Sequence, residues 1–374
     1  MRRLYTLFLL ALVVINADAQ LSGDGFYRVR NRGSQRYIYV CDNTGYINYT
    51  ATYAEMGAIQ LWKGEEKILT DPASVLYIKK VGQTADNTGL YDIQAQGTGV
   101  IDIIEYSVQI YRRSNGYYNV YAEGFYLCDN ETSESPDGAL GTDRTGNYRL
   151  WEVFPMDDET QYLAIDPTVS AGGSHYMPYY VSFGLTLADD MNAYYVSAVH
   201  DHGVVVSKVQ SKQIPAKTPV FIECAQADYK KNKVDVRFDN SAASFAQENA
   251  LKGVFFCNTD RPKSKDAKIA YDKSTMRVLG TATDGSLAYV TADCKYLPAN
   301  QSYLPVPASA DSELKVFYSE EDYLAYETML GVDGIGSDAV APEVYDLTGR
   351  RIDLPLNALP KGIYIVNHKK YVVR

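Results

Sequence analysis

The stretch YIYVCDN at residues 37–43 returns 87 residues further on as GFYLCDN at residues 124–130. A second pair of markers has nearly the same separation, because QLW at residues 60–62 is followed 89 residues later by RLW at residues 149–151. Two independent markers with almost one spacing indicate an internal duplication. Half of this spacing is about 44 residues, so a middle copy fits between them and three units are predicted. The middle unit has diverged, and its register stays open.

The sequence around these markers is typical of β-strands. From Gly25 to Met156, short runs that alternate apolar and polar residues are separated by turns rich in Gly, Asn, Asp and Ser. The chain contains 33 Tyr against 11 Phe and 2 Trp, and Tyr favours strands with one buried face. The protein is therefore predicted to be mostly β.

Three β units of this size, the first and third marked by Trp62 and Trp151, resemble the ricin-type β-trefoil lectin module. The resemblance covers about residues 21–157 and implies an N-terminal β-trefoil domain over residues 20–157. It also implies that both Trp side chains pack in the core, and that sugar binds in the outer pocket of a unit.

The candidate sugar ligands follow the repeated strand. They are Asp42, Asn43 and Tyr46 in the first unit, and Asp129 and Asn130 in the third. Carboxylates and amides hydrogen-bond vicinal hydroxyls, while a Tyr ring covers the apolar side of a sugar. The alternative interpretation is that Asp and Asn after a strand only form turns.

The N-terminus has the pattern of a cleavable secretory signal over residues 1–19. Arg2 and Arg3 precede the apolar stretch from Leu4 to Ile15, and ADA at residues 17–19 provides small residues at the cleavage point. The alternative is a retained anchor helix. No later apolar stretch reaches 18 residues, so no transmembrane helix is expected in the mature protein. A secreted or outer-membrane-surface location follows.

Residues 158–318 are predicted to form an antiparallel β-sandwich or barrel-like domain, because strand-like runs again alternate with turns. Residues 241–252 are predicted to form a short helix. The segments IPAKTPVFI at 214–222 and LPANQSYLPV at 297–306 resemble a β module common in secreted proteins of anaerobic Gram-negative bacteria. That module implies no reaction.

Residues 319–338 are predicted to be a short helix and a linker. Ser319 and Asp322 have the spacing of a capping box, with the helix running to about Leu330 and a Gly-rich joint at residues 331–336.

Residues 339–374 form a basic segment that is predicted to be a short β tail. YDLTGR at 345–350 and KGIYIV at 361–366 resemble the C-terminal sorting signal of the type IX secretion system. The resemblance implies that the outer-membrane secretion machinery is a partner. The alternative is a small hairpin that closes the preceding domain.

Charge and residue types limit the chemistry. A net charge of −10 without a basic block argues against nucleic-acid binding. The five Cys residues are widely spaced and match no metal motif. His200 and His202 share a strand-like spacing but flank a turn, with no third ligand near in sequence. No metal, cofactor or catalytic residue is therefore expected.

The sequence favours a non-catalytic carbohydrate-binding or adhesion protein whose ligand is a host or dietary polysaccharide. A first alternative is a glycoside hydrolase, which needs two carboxylates across a cleft, or an ancillary subunit of a glycan-degrading system. A second alternative is a structural spacer at the cell surface.

Overall fold

The computed structural model describes residues 21, 23–40, 59–62, 68–95, 101–102, 107–122, 124–129, 140–141, 145–156, 159–239, 241–254, 269–333, 344–346, 348–352, 359–366 and 369–373, and all structural statements concern these residues. They form many short antiparallel strands and one α-helix, so the predicted mostly β class is confirmed. They divide into two compact units, with the boundary between Val316 and Phe317.

The first half of the larger unit is built from short strands that are antiparallel to their neighbours. They are β1 (Gly25–Asn31), β2 (Tyr37–Val40), β3 (Ile59–Trp62), β4 (Leu76–Gln83), β5 (Gly89–Ala95), β6 (Ile101–Asp102), β7 (Val108–Arg112), β8 (Tyr118–Ala122), β9 (Phe125–Tyr126), β10 (Cys128–Asp129), β11 (Leu140–Gly141) and β12 (Trp151–Pro155). Short 3-10 helices span Ile68–Thr70, Pro72–Ser74 and Gly146–Arg149.

Six of these strands close into a barrel. The ring runs β1–β4–β5–β7–β8–β12 and returns to β1 through the pairing of β12 with β1. The pairs β2–β3 and β10–β11 lie outside the ring. Closure leaves none of the six strands with a free edge, which stabilises a sheet of short strands. The assignment of this barrel to the β-trefoil family stays a prediction.

The two Trp residues occupy different places around the barrel. Trp62 ends β3 and pairs with Tyr37 on β2, outside the ring, whereas Trp151 begins β12 and pairs with Asn31 on β1. The two Trp residues, 89 positions apart in the sequence, therefore lie on strands with different partners.

Trp151 is buried in the barrel core, as predicted. Its side chain has no exposed surface, and its Nε1 donates a hydrogen bond to the carbonyl oxygen of Leu127 at 3.0 Å. The side chain of Trp62 lies outside the described part of the chain.

Arg28 on β1 joins the barrel to the domain that follows it. Its Nε donates to Ser74 Oγ at 2.8 Å, and one terminal nitrogen donates to the carbonyl oxygens of Gln161 and Tyr162 at 2.6 and 2.8 Å. Burial lowers the pKa of Arg28 to about 10, and the nearby Asp71 opposes this shift. The guanidinium thus remains charged at neutral pH and ties three segments together.

The second half of the larger unit contains two antiparallel sheets. Their strands are β13 (Leu163–Ala164), β14 (Val169–Ala171), β15 (Ser174–Tyr179), β16 (Gly184–Leu187), β17 (Asn192–Val199), β18 (Gly203–Lys208), β19 (Gln213–Ile214), β20 (Val220–Cys224), β21 (Lys233–Arg237), β22 (Lys252–Val254), β23 (Met276–Thr281), β24 (Leu287–Val290), β25 (Gln301–Pro305) and β26 (Glu313–Phe317). A 3-10 helix spans Tyr229–Lys231. A four-stranded sheet has the order β13-β21-β16-β19, and a ten-stranded sheet has the order β14-β15-β20-β17-β18-β26-β24-β23-β25-β22.

Strand β20 is buried on both faces. Ile222 packs with Phe183 in the cluster between the two sheets. Phe221 faces the other way, into a second cluster, where the centre of its ring lies 6.4 Å from that of Tyr289. Val75, which precedes β4, belongs to the first of these clusters. Barrel and sandwich therefore share a hydrophobic core, and a continuous apolar strand such as β20 is the expected result of burial on two sides.

The predicted helix at residues 241–252 is wrong. Residues 241–251 contain no helical turn, and β22 begins at Lys252. Asp239 Oδ1 accepts the backbone N–H of Ser241 at 2.8 Å, and Asn249 Oδ1 accepts that of Leu251 at 3.0 Å. Such local bonds compete with the helical ones.

The smaller unit contains helix α1 (Glu320–Asp333) and the strands β27 (Val344–Asp346), β28 (Gly362–Val366) and β29 (Lys369–Val373). Ser319 caps the helix as predicted, because its Oγ accepts the Asp322 N–H at 3.1 Å and donates to Asp322 Oδ2 at 2.8 Å. The helix continues beyond Leu330, so the expected joint does not begin at Gly331.

The three strands of the smaller unit form one antiparallel sheet with its own small core. That core consists of Val344, Leu359, Tyr364 and Val366. Among the described residues, no helix has both the length and the apolar character needed to cross a membrane.

Candidate functional site

Most of the predicted sugar-binding residues lie outside the described part of the chain. These are Asp42, Asn43, Tyr46 and Asn130. The remaining candidate, Asp129, ends β10 and has no exposed surface.

Asp129 forms a buried ion pair with Arg36. The Arg36 Nε donates to Asp129 Oδ2 at 2.9 Å, and a terminal nitrogen of the same guanidinium bonds Asp129 Oδ1. Only 2% of the Arg36 side chain is exposed. The carboxylate is thus engaged inside the protein rather than presented on its surface.

A cleft of about 360 Å³ opens on the barrel, in the part that the sequence predicts to be the third unit. We call it the third-unit cleft. Its lining residues come from the turn between β7 and β8, from β8 and β9, and from the 3-10 helix before β12. They are Arg113, Asn115, Asn119, Tyr126, Gly146, Asn147, Arg149 and Leu150.

The turn between β7 and β8 holds one wall of the cleft. Arg113 N donates to Tyr117 O at 2.6 Å, and Gly116 N donates to Arg113 O at 2.9 Å. Gly116 has a φ of 87°, a left-handed conformation that glycine adopts without strain. Asn115 Oδ1 accepts the Tyr117 N–H at 3.2 Å. These bonds fix the backbone positions of Arg113 and Asn115.

The opposite wall is held by the buried amide of Asn119. Its Nδ2 donates to the carbonyl oxygen of Arg149 at 2.8 Å. Leu150 N closes the 3-10 helix by donating to Asn147 O at 3.1 Å. The Asn147 side chain is exposed in the cleft.

A tyrosine cluster supports the arginine side chains. The Arg149 guanidinium carbon lies 5.4 Å from the centre of the Tyr126 ring, and the Tyr126 ring contacts that of Tyr121 at 5.0 Å. The Tyr111 hydroxyl donates to the Tyr126 hydroxyl at 2.9 Å. Burial, together with this hydrogen bond, raises the pKa of Tyr111 to about 12, so it is protonated at neutral pH. The positive charge of Arg113 opposes part of this rise in the pKa of Tyr111.

Two arginines line the third-unit cleft in a protein of net charge −10. Among the described lining residues, the charged ones are Arg113 and Arg149, and none is a carboxylate. The site can therefore donate hydrogen bonds from two guanidinium groups and from amides, next to a half-buried aromatic ring.

A second cleft of about 730 Å³ lies where the barrel meets the sandwich. Tyr77 lies between Phe26 and the half-exposed Phe238, with ring centres 5.1 and 5.3 Å away. Asp24 is the carboxylate among the lining residues, and its Oδ1 accepts the Lys80 N–H at 2.8 Å.

In neither of these two clefts do the described residues bring two carboxylates together, as a glycoside hydrolase would require.

The histidine pair does not assemble a metal site in the described residues. His200 N donates to Gly203 O at 2.9 Å in the predicted hairpin turn, and His202 Nδ1 lies 2.8 Å from Asp311 Oδ2. Both His202 and Asp311 are exposed, and no group of three or more His, Cys, Asp or Glu suited to a metal ion occurs in the part of the chain described.

The residues of the third-unit cleft were not among the sequence candidates. One sequence signal marks them, because YRRSNGYYNVYA at residues 111–122 interleaves basic and aromatic residues around a Ser-Asn-Gly turn. The distant Asn147 and Arg149 have no such signal, since only the barrel brings them to the same place.

The sequence matches no protein-family model, and no curated protein matches it. Function is therefore inferred from the residues of the clefts.

Proposed function

We propose that this protein is a non-catalytic carbohydrate-binding or adhesion module that acts outside the cell and binds a host or dietary polysaccharide through the third-unit cleft. The observation that carries the proposal is the composition of this cleft. Guanidinium groups and amides converge there on a tyrosine cluster, in positions that the backbone fixes.

These groups suit a sugar. Adjacent hydroxyls accept hydrogen bonds from a guanidinium and exchange them with an amide such as that of Asn147. The half-buried ring of Tyr126 offers an apolar surface next to these donors. A volume of about 360 Å³ is near the lower end of the range for small-ligand sites, which suits a short stretch of glycan.

The extracellular part of the proposal is supported by both ends of the chain. Residues 1–19 have the pattern of a cleavable signal, and residues 339–374 resemble a sorting signal that engages outer-membrane secretion machinery. The described strands of the tail have a core of their own, so this segment has the folded shape that a docking partner can recognise.

A glycan array probed with the complete mature chain, residues 20–374, tests the function. Asn147→Ala removes an exposed amide from the cleft and should lower the affinity for the best glycan about 3- to 10-fold. Gln83→Ala, which removes an exposed amide elsewhere on the barrel, is the matched control.

Two results would contradict this proposal. Absence of glycan binding by the wild-type chain would favour a surface spacer. Release of reducing ends from a bound glycan would instead favour a hydrolase.

A further inference from the structure

We infer that Asn115, in the turn between β7 and β8, deamidates spontaneously and thereby changes one wall of the third-unit cleft. In this reaction the backbone nitrogen of Gly116 attacks Cγ of Asn115 and forms a new C–N bond. The side-chain nitrogen leaves as ammonia and takes the proton of the attacking N–H. Water then opens the resulting succinimide ring at either carbonyl, which gives aspartate or isoaspartate. The modification does not depend on the proposed function, but its effect on glycan binding does.

The first reason is the sequence of the turn. Residues 115 and 116 are the only Asn-Gly pair in the chain of 374 residues. Asn is a chemically labile residue. Glycine has no Cβ, so no side chain shields its backbone nitrogen or restricts the rotation that ring closure needs. Both residues are exposed, and water therefore reaches the succinimide.

The second reason is a hydrogen bond that prepares the side chain of Asn115 for the attack. Its Oδ1 accepts the N–H of Tyr117 at 3.2 Å, which holds the side-chain carbonyl over the backbone of Gly116. The attack places negative charge on Oδ1, and an N–H donor already bonded to this oxygen stabilises that charge. The turn therefore supplies both proximity and a donor for the tetrahedral intermediate.

Another hydrogen bond of the same turn opposes the reaction. Gly116 N donates to Arg113 O at 2.9 Å, and this bond must open before the nitrogen loses its proton. Deamidation therefore requires a transient opening of the turn, and exposed turns open more readily than core strands. The reaction should be slower in the folded protein than in a free peptide with the sequence of residues 111–122.

Either product alters the wall of the cleft. Aspartate replaces an amide, which donates and accepts hydrogen bonds, by a carboxylate that only accepts them. Isoaspartate also adds a methylene group to the main chain between residues 115 and 116, so the backbone bonds of Arg113 with Gly116 and Tyr117 lose their spacing. Since these bonds fix the wall, ligand contacts on this side of the cleft should weaken.

The test follows the complete mature chain, residues 20–374, during incubation in neutral and mildly alkaline buffer. Peptide mapping by mass spectrometry measures the acid formed at each Asn. Acid should accumulate at position 115, with isoaspartate as the major product, and faster at the higher pH because the attacking nitrogen must lose a proton. Asn147 is the internal control, because it is exposed and lines the same cleft but precedes Tyr148. It should remain an amide.

Asn115→Gln separates the modification from other effects of incubation. Its side chain must close a six-membered ring, which forms far more slowly, so the amide at this position should persist. Incubation should lower the affinity of the wild-type chain for the best glycan of the array about 3- to 10-fold. The Asn115→Gln chain should keep the affinity with which it started.

An amide that persists at position 115 of the folded chain, while the free peptide reacts, overturns the inference. Equal reaction at Asn115 and Asn147 also overturns it, because the turn would then have no special role. Acid at position 115 with unchanged glycan affinity overturns the effect on the cleft. Absence of any glycan binding before incubation would defeat the proposed function, and the mass measurement would still decide whether Asn115 is modified.

Discussion

Arg36 and Asp129 form an ion pair that is almost wholly enclosed by the protein, with 2% and 0% of their side chains exposed. Arg36 follows the turn after β1, and its carbonyl oxygen accepts the N–H of Asn31 at 2.8 Å. Asp129 lies 93 residues later on β10. The pair therefore joins the start of β2 to β10 and gives the Asp that follows Cys128 a structural role.

Replacing Asp129 by Ala should destabilise the barrel by about 3–5 kcal/mol, because the buried Arg36 would lose the ion pair with this carboxylate. Urea unfolding followed by Trp fluorescence measures this directly, since Trp151 is buried in the barrel. The control is Glu152→Gln at the partly exposed pair with Arg30, which should cost at most about 1 kcal/mol. An Asp129→Ala variant as stable as the wild type would show that the pair does not stabilise the barrel.

Local patterns in the sequence predict local structure well. The alternation around residues 192–208 gives the β17–β18 hairpin, and the spacing of Ser319 and Asp322 gives the start of α1. Both depend on residues that are near in sequence. The helix predicted at 241–252 does not form, and the reason is also local. The side chains of Asp239 and Asn249 accept hydrogen bonds from backbone N–H groups two residues away.

Long-range relationships were not accessible from the sequence. The partner of Asp129 lies 93 residues away, so nothing near CDN indicates that its Asp is buried. Likewise, Trp62 and Trp151 share a motif but lie on strands with different roles, since only the pairing of β12 with β1 closes the barrel. The third-unit cleft combines two turns that only this closure brings together.

A side chain at Gly253 should clash with Tyr180 and lower the stability of the protein. Gly253 lies on β22, where a Cβ would be 2.1 Å from Cγ of Tyr180. Gly253→Ala should therefore destabilise the sandwich by about 1–3 kcal/mol, because the Tyr180 ring must move. Gly82→Ala is the control, since the nearest atom to its Cβ would be 3.9 Å away. Calorimetric melting temperatures that fall equally in both variants would refute the steric explanation.

Asp346, in the YDLTGR segment of the tail, should make its turn sensitive to acid. Asp346 Oδ1 accepts a hydrogen bond from the Thr348 hydroxyl at 2.6 Å and another from the Arg350 N–H at 2.9 Å. These two bonds hold the pKa of Asp346 below its usual value. Because the folded pKa lies below the unfolded value of about 3.9, the stabilisation is complete above that pH and is lost as the pH falls through the folded pKa.

An NMR titration of the Thr348 and Arg350 amide signals measures this transition. Both signals should shift together, with a midpoint below the pKa of Asp in an unfolded peptide. Asp346→Asn should abolish the shift. A midpoint at or above the ordinary value would show that the carboxylate does not stabilise the turn.

Deleting residues 339–374 should stop export without unfolding the rest of the protein, if the tail acts as the sorting signal proposed above. The described tail strands pack around their own core of Val344, Leu359, Tyr364 and Val366, so the deletion removes a sheet with a separate core. The measurement is the share of the protein in periplasm, at the cell surface and in medium, in a bacterium that has type IX machinery.

Ile363→Ser changes a half-exposed tail residue outside this core and tests whether the folded surface is recognised. Normal surface or medium levels of the truncated protein would exclude the sorting role, and its unfolding would favour a hairpin that closes the preceding domain.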